Sequence, residues 1–141
     1  MATLKVTISE ELTIDGIERG SSRVHDVSSV TQVDNRIVTV TTTESDLVKF
    51  DTVVASGTFV ATSVKYLRIS NTGSGGYLTL RVVGTGEEYF VKVEAGDSFV
   101  LNNAVMDADE STSATVSFAN IAEIKAAAST GTVVTEIFVA S

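Results

Sequence analysis

The chain has no cysteine, no proline, no tryptophan and one histidine, and its ten basic residues face eighteen acidic ones. Without cysteine there is no disulfide, no thiolate nucleophile and no thiolate-ligated zinc. Without proline no strand loses a backbone donor. A net charge of −8 and an isoelectric point near 4.5 argue against nucleic acid as the main partner, because phosphate binding needs a basic footprint. The same charge suits a surface that resists non-specific association. No apolar run approaches a membrane span. Met1–Ser9 lacks a basic stretch followed by an apolar one, so no cleaved secretion signal is expected, and folding in a cytoplasm is. No cofactor is expected.

What is present is threonine, serine and valine in short alternating runs between turn signals, the composition of strands. A length of 141 residues suits a single domain, residues 1–141, able to bury a core unaided. Leu4–Ile8 alternates as a first strand, and Asp15-Gly16 marks a hairpin corner within Leu12–Ile17. Glu18–Val30 reads as polar and irregular, with a loop at Gly20–Ser22. Val30–Thr43 returns to strand, with a turn or bulge at Asp34-Asn35. About nine to eleven short strands result, which predicts an all-β, two-sheet antiparallel sandwich, jelly-roll-like.

Lys65–Leu101 carries the clearest pattern, and it predicts a central meander of three antiparallel strands. A loop at Asn71–Gly76 sets Ile69 opposite Leu78 and Leu67 opposite Leu80. A turn at Gly84–Glu87 sets Val82 opposite Tyr89, Leu80 opposite Val91 and Leu78 opposite Val93. Both registers point the same residues inward, and a slip of one residue would reverse them. Glu94–Asp97 reads as a tight turn with Gly96 left-handed. Ile121–Ala128 is alanine-rich and open to helix or strand; a strand in a hairpin with the alternating Thr132–Ala140 is the more economical reading.

Candidate chemistry is sparse. His25 beside Asp26 offers a base without a nucleophile, and a structural or surface role is the simpler reading. The acidic run Asp107–Glu110 offers oxygen ligands of the kind calcium takes, but reads first as a solvated loop. Asn71–Gly76 is glycine-rich, yet a strand rather than a helix follows it, so it is no phosphate cradle. The outer face of the meander is more informative. Its register aligns Tyr66, Arg81 and Phe90 in one row and Arg68 and Lys92 in the next. Aromatic and arginine side chains favour interfaces, so these five form a candidate contact surface. An enzyme is not expected.

Val64–Thr72, Tyr77–Val82 and Tyr89–Phe99, with the opening Leu4–Gly16 and the ending Thr135–Ser141, resemble small virion structural proteins of tailed bacteriophages, of the marine and cyanobacterial type. The resemblance touches most of the chain and brings no catalytic residue with it. It implies a capsid decoration or cement protein on the virion surface, binding the major capsid protein as a homo-dimer or homo-trimer. The alternative it leaves open is a tail, baseplate or fibre module that contacts the host surface or its carbohydrate. For carbohydrate, the lack of tryptophan leaves only Tyr66, Tyr77 and Tyr89 as stacking platforms.

Overall fold

The computed structural model describes residues 1–53, 55, 57–84, 86–102, 107–108 and 119–141. The strands in chain order are β1 (Ala2–Glu10), β2 (Thr13–Ile14), β3 (Ile17–Glu18), β4 (Ser21–Val30), β5 (Val33–Thr41), β6 (Ser45–Asp51), β7 (Thr58–Val60), β8 (Tyr66–Asn71), β9 (Leu78–Val83), β10 (Glu88–Val93), β11 (Ser98–Leu101), β12 (Asp107–Ala108), β13 (Ala119–Asn120), β14 (Glu123–Ala128) and β15 (Thr132–Ala140). A 3-10 turn, Ala61–Ser63, precedes β8.

The fold is all-β, with two sheets enclosing one core. A five-stranded sheet runs β10-β9-β14-β6-β7 and a four-stranded sheet runs β11-β8-β15-β5. All pairs are antiparallel except β6 with β7. Leu78, Leu80, Val82, Val48 and Ile124 from the first sheet meet Leu67, Ile69, Val133, Ile137 and Val139 from the second, each at most 1% exposed. Those residues recur at every second position, the period that sends alternate side chains to one face.

The expected register of β9 and β10 is observed pair for pair, with Val82 opposite Tyr89, Leu80 opposite Val91 and Leu78 opposite Val93. The expected pairing of β8 with β9 is not. β8 lies in the other sheet between β15 and β11, with Ile69 opposite Ile137 and Phe99. The stretch Lys65–Leu101 is therefore not a three-stranded meander. The loop 71–76 is longer than a two-residue hairpin and can cross the roughly 10 Å between packed sheets. Pairing and facing obey different constraints: Ile69 and Leu78 both point inward because they meet across the core, not along a ladder.

The remaining expectations divide in the same way. Ile121–Ala128 contains a strand, since Ile124, Ala126 and Ala128 are buried while Glu123 and Lys125 alternate outward. It does not form a hairpin with β15. It lies between β9 and β6, and Ser129–Gly131 carries the chain to the other sheet. The turn at Glu94–Asp97 is closed by a 3.1 Å bond from the Asp97 N–H to the Glu94 carbonyl, with Gly96 at φ +88° as expected. Asp34 and Asn35 lie within β5, without a turn or bulge. The segment Glu18–Val30, expected to be irregular, contains the ten-residue strand β4.

Candidate interaction surface

β4 pairs with β1, and the two leave the sandwich as a ribbon capped by β2 and β3. Its register is unbroken from Leu4 opposite Val27 to Glu10 opposite Ser21, and continues through a 2.7 Å bond from the Arg19 N–H to the Leu12 carbonyl into Ile14 opposite Ile17. Asp15 at φ +52° and Gly16 at φ +76° close the tip, the two left-handed residues a tight hairpin requires. At Gly20 an added Cβ would sit 1.9 Å from the Glu10 carbonyl oxygen, so the strands can approach there only without a side chain. Glu18 locks this neck. Its carboxylate accepts from the Gly20 N–H at 2.9 Å, the Leu12 N–H at 3.3 Å and the Thr13 hydroxyl at 3.2 Å. Those bonds, the one from Gly20 foremost, hold its pKa below the ordinary 4.5.

Alternation along this register places Leu4, Val6, Ile8, Leu12 and Ile14 on one face of the arm with Val27 and Ile17. The base of that face is covered. Val27 and Val30 are buried, and Leu4 and Val6 partly buried, in a second cluster with Tyr66, Phe138 and Ala140 on the outer side of the four-stranded sheet. Ser29 at φ +58° accompanies a register shift at the root, and Lys65 donates its ammonium to the Ser28 and Ser29 carbonyls there. Beyond the root no described residue covers the face: Ile8, Leu12, Ile14 and Ile17 are 59%, 52%, 51% and 54% exposed.

The five residues expected to share one surface are divided between two. Arg81, Phe90 and Lys92 lie on the outer face of the five-stranded sheet, with Phe90 directly opposite Arg81 as expected. Tyr66 and Arg68 lie on the outer face of the other sheet, because β8 belongs there. Tyr66 is buried beneath the arm, its ring meeting Phe138 edge-on at 6.0 Å. The cations of the set are paired. Arg68 binds Glu136 at 2.8 Å, Arg81 binds Glu88 and Glu44, and Lys92 binds Glu94 while lying 4.3 Å above the Tyr77 ring. The hydrogen bond that Arg81 donates to Glu88, ahead of the one it donates to Glu44, raises its pKa. Lys125 joins Asp46 at 3.0 Å and Glu123 at 3.1 Å beside this network. The outer face of the five-stranded sheet is thus a mesh of ion pairs around an exposed Phe90, not an open basic patch.

His25 and Asp26 are neighbours on β4, and a strand sends neighbours to opposite faces, so Asp26 does not orient the one histidine as a base, in keeping with the simpler reading. The loop 71–76 is followed by a strand, β9, rather than a helix, as expected. No group of acidic or histidine side chains is arranged to hold a metal among the described residues, and the side chains of Asp107–Glu110 lie outside them. Among the described residues no helix is long and apolar enough to cross a membrane. The sequence signal that could have revealed the arm was Asp15-Gly16, which sits midway between two stretches that proved to be equal partners. Comparison with protein-family models, with curated proteins and with solved structures finds no match to this chain.

Proposed function

We propose that this chain is a non-enzymatic structural subunit that joins a larger assembly by burying apolar surface, and that the assembly is a phage virion. The observation that carries the first part is the arm: four large aliphatic side chains are held in water on an ordered ribbon that projects from a packed sandwich. An apolar face of this kind, rimmed by polar residues, marks an interaction site. The virion is brought by the resemblance of Val64–Thr72, Tyr77–Val82 and Tyr89–Phe99 to phage structural proteins. Within it we favour a capsid decoration protein bound to the major capsid protein over a tail module. For a carbohydrate-reading tail module the platforms are few, since Tyr66 is buried and the Tyr77 ring already carries Lys92.

Such a protein acts through linkage: copies that bind only the assembled shell stabilise it by mass action. The paired cations favour the arm, rather than the Arg81 face, as the surface that ties each copy to its neighbours in the assembly. The test is co-sedimentation of the purified chain with tail-less capsids and, separately, with purified tails. Binding to capsids, lost on changing Ile14 and Ile17 to lysine, is the expected result. Binding to tails alone replaces the decoration reading with the tail reading.

A further inference from the structure

We infer that the exposed half of the arm seats on a second copy of this chain, on the outer face of that copy's four-stranded sheet, in a reciprocal two-fold pair. The inference rests on reading the arm as an interaction element, and it names the partner.

The first reason is continuity. The arm's apolar face already has one established seat, and that seat is this chain's own outer sheet surface at Tyr66 and Phe138. The same sheet surface extends past the arm. Ile37 lies opposite Glu136, which lies opposite Ser70, and Val134 lies opposite Thr39, so Ile37 and Val134 point to the same side as Phe138. They are 72% and 42% exposed. Each molecule therefore carries an uncovered half of an apolar arm and an uncovered half of the surface such an arm covers.

The second reason is area. The exposed portions of Ile8, Leu12, Ile14 and Ile17 amount to about two whole aliphatic side chains, on the order of 350 Å². With an equal contribution from the seat, two arms in two-fold exchange bury on the order of 1,400 Å², within the range of a stable specific interface.

The third reason is charge. Two copies of a chain carrying −8 repel unless their acids stay out of the contact. The acid on the arm's apolar face, Glu10, is bonded to the Ser21 hydroxyl at 3.0 Å, and the acid on the seat, Glu136, is paired with Arg68. The face adds Arg19 and Arg23, so the surfaces that meet are close to neutral.

The experiment is sedimentation velocity of the full chain over a micromolar concentration series, with the capsid and tail co-sedimentation run alongside. The wild-type chain is expected to form a reversible dimer. The double variant Ile14→Lys, Ile17→Lys and the seat variant Ile37→Glu are each expected to remain monomeric with an unchanged far-ultraviolet spectrum. A wild-type chain that stays monomeric throughout overturns the inference, as does an arm variant that dimerises like wild type. Because the chain has no cysteine, an Ile14→Cys chain mixed with an Ile37→Cys chain then locates the seat. The mixed disulfide is expected to exceed either homodisulfide, and a statistical mixture overturns the assignment. A monomer that still binds capsids refutes the pairing and leaves the structural role, whereas a dimer that binds no part of the virion does the reverse.

Discussion

Asn71 is the residue whose removal should most sharply test how the sandwich is held. It ends β8 at the point where the chain leaves the four-stranded sheet, and it is 1% exposed. Its amide NH₂ donates to the Gly76 carbonyl at 3.1 Å and to the Val93 carbonyl at 3.2 Å, while its side-chain oxygen accepts the Gly73 N–H at 3.1 Å. Its backbone is engaged as well, through a bond from its N–H to the Asp97 carbonyl at 3.0 Å and from the Gly96 N–H to its carbonyl at 2.8 Å. One side chain thus ties the crossover loop to the end of β10, and its backbone ties the next turn to the same point. Asn71→Ala removes three hydrogen bonds. At about 1 kcal/mol each, with more for the buried bond to Val93, the loss is roughly 3–4 kcal/mol. For a domain of this size that lowers the melting temperature by about 10 °C. Asn71→Asp keeps the volume, loses both donors and turns a carboxylate toward two carbonyls, so at neutral pH it should cost at least as much, and less once acid protonates it. Urea unfolding of the three proteins measures both. An alanine variant within 1 kcal/mol of wild type at unchanged slope would refute the role given to Asn71.

Thr135 is fully buried with its hydroxyl unpartnered among the described residues, so Thr135→Val should raise the urea midpoint, by about 1 kcal/mol of stability; a lowered midpoint would show that the hydroxyl has a use. Glu18 titrates lower in the folded arm than its ordinary 4.5, so its contribution is complete above that value and fades as pH falls below it through the folded pKa. Protection of the Leu12 and Gly20 amides, taken relative to their intrinsic exchange rates, should therefore fall in acid in the wild-type chain, while Glu18→Gln is less protected already at neutral pH with little further acid response. Arg81→Glu places a third carboxylate between Glu44 and Glu88 and should lower the melting temperature more than Arg81→Gln does. The difference should shrink in high salt, and a difference indifferent to salt would exclude repulsion as its cause.

The inward face of this fold was legible in the sequence, and its strand pairing largely was not. Leu67, Ile69, Leu78, Leu80, Val82 and Val93 alternate, and alternation reports which side of a strand is dry. It carries no information about which strand lies alongside. The pairing of β9 with β10 could be read because a short turn joins them and a short turn enforces a hairpin. β8 with β15, and β14 with β6, are distant in sequence and chosen by fit in the core, where no local pattern speaks. The division of the expected surface follows from this. Tyr66 and Arg68 were assigned to the face of Arg81 through a ladder that does not exist. The arm's second strand was not legible for a related reason. β4 has water on both sides for most of its length, so nothing forces its polar and apolar residues to alternate, and the sequence Ser21–Asp26 looks like a loop.

The arm and the sandwich also differ in what holds them. Within the sandwich, each inward residue is supported from two sheets at once. The arm is a lone pair of strands, an arrangement that is marginal in water unless something else supports it. At its root the support is Tyr66, Phe138 and the ammonium of Lys65; along its outer half it is the register, the left-handed pair at the tip and the Glu18 carboxylate. None of the outer supports buries apolar surface. A ribbon kept straight by polar bonds while its aliphatic face stays wet holds the geometry of a bound state before any partner arrives. That reduces the ordering cost of association, which otherwise subtracts from affinity. On this account, loosening the neck with Glu18→Gln should weaken self-association although Glu18 lies on the face away from the seat, and it should do so by slowing association more than by hastening release.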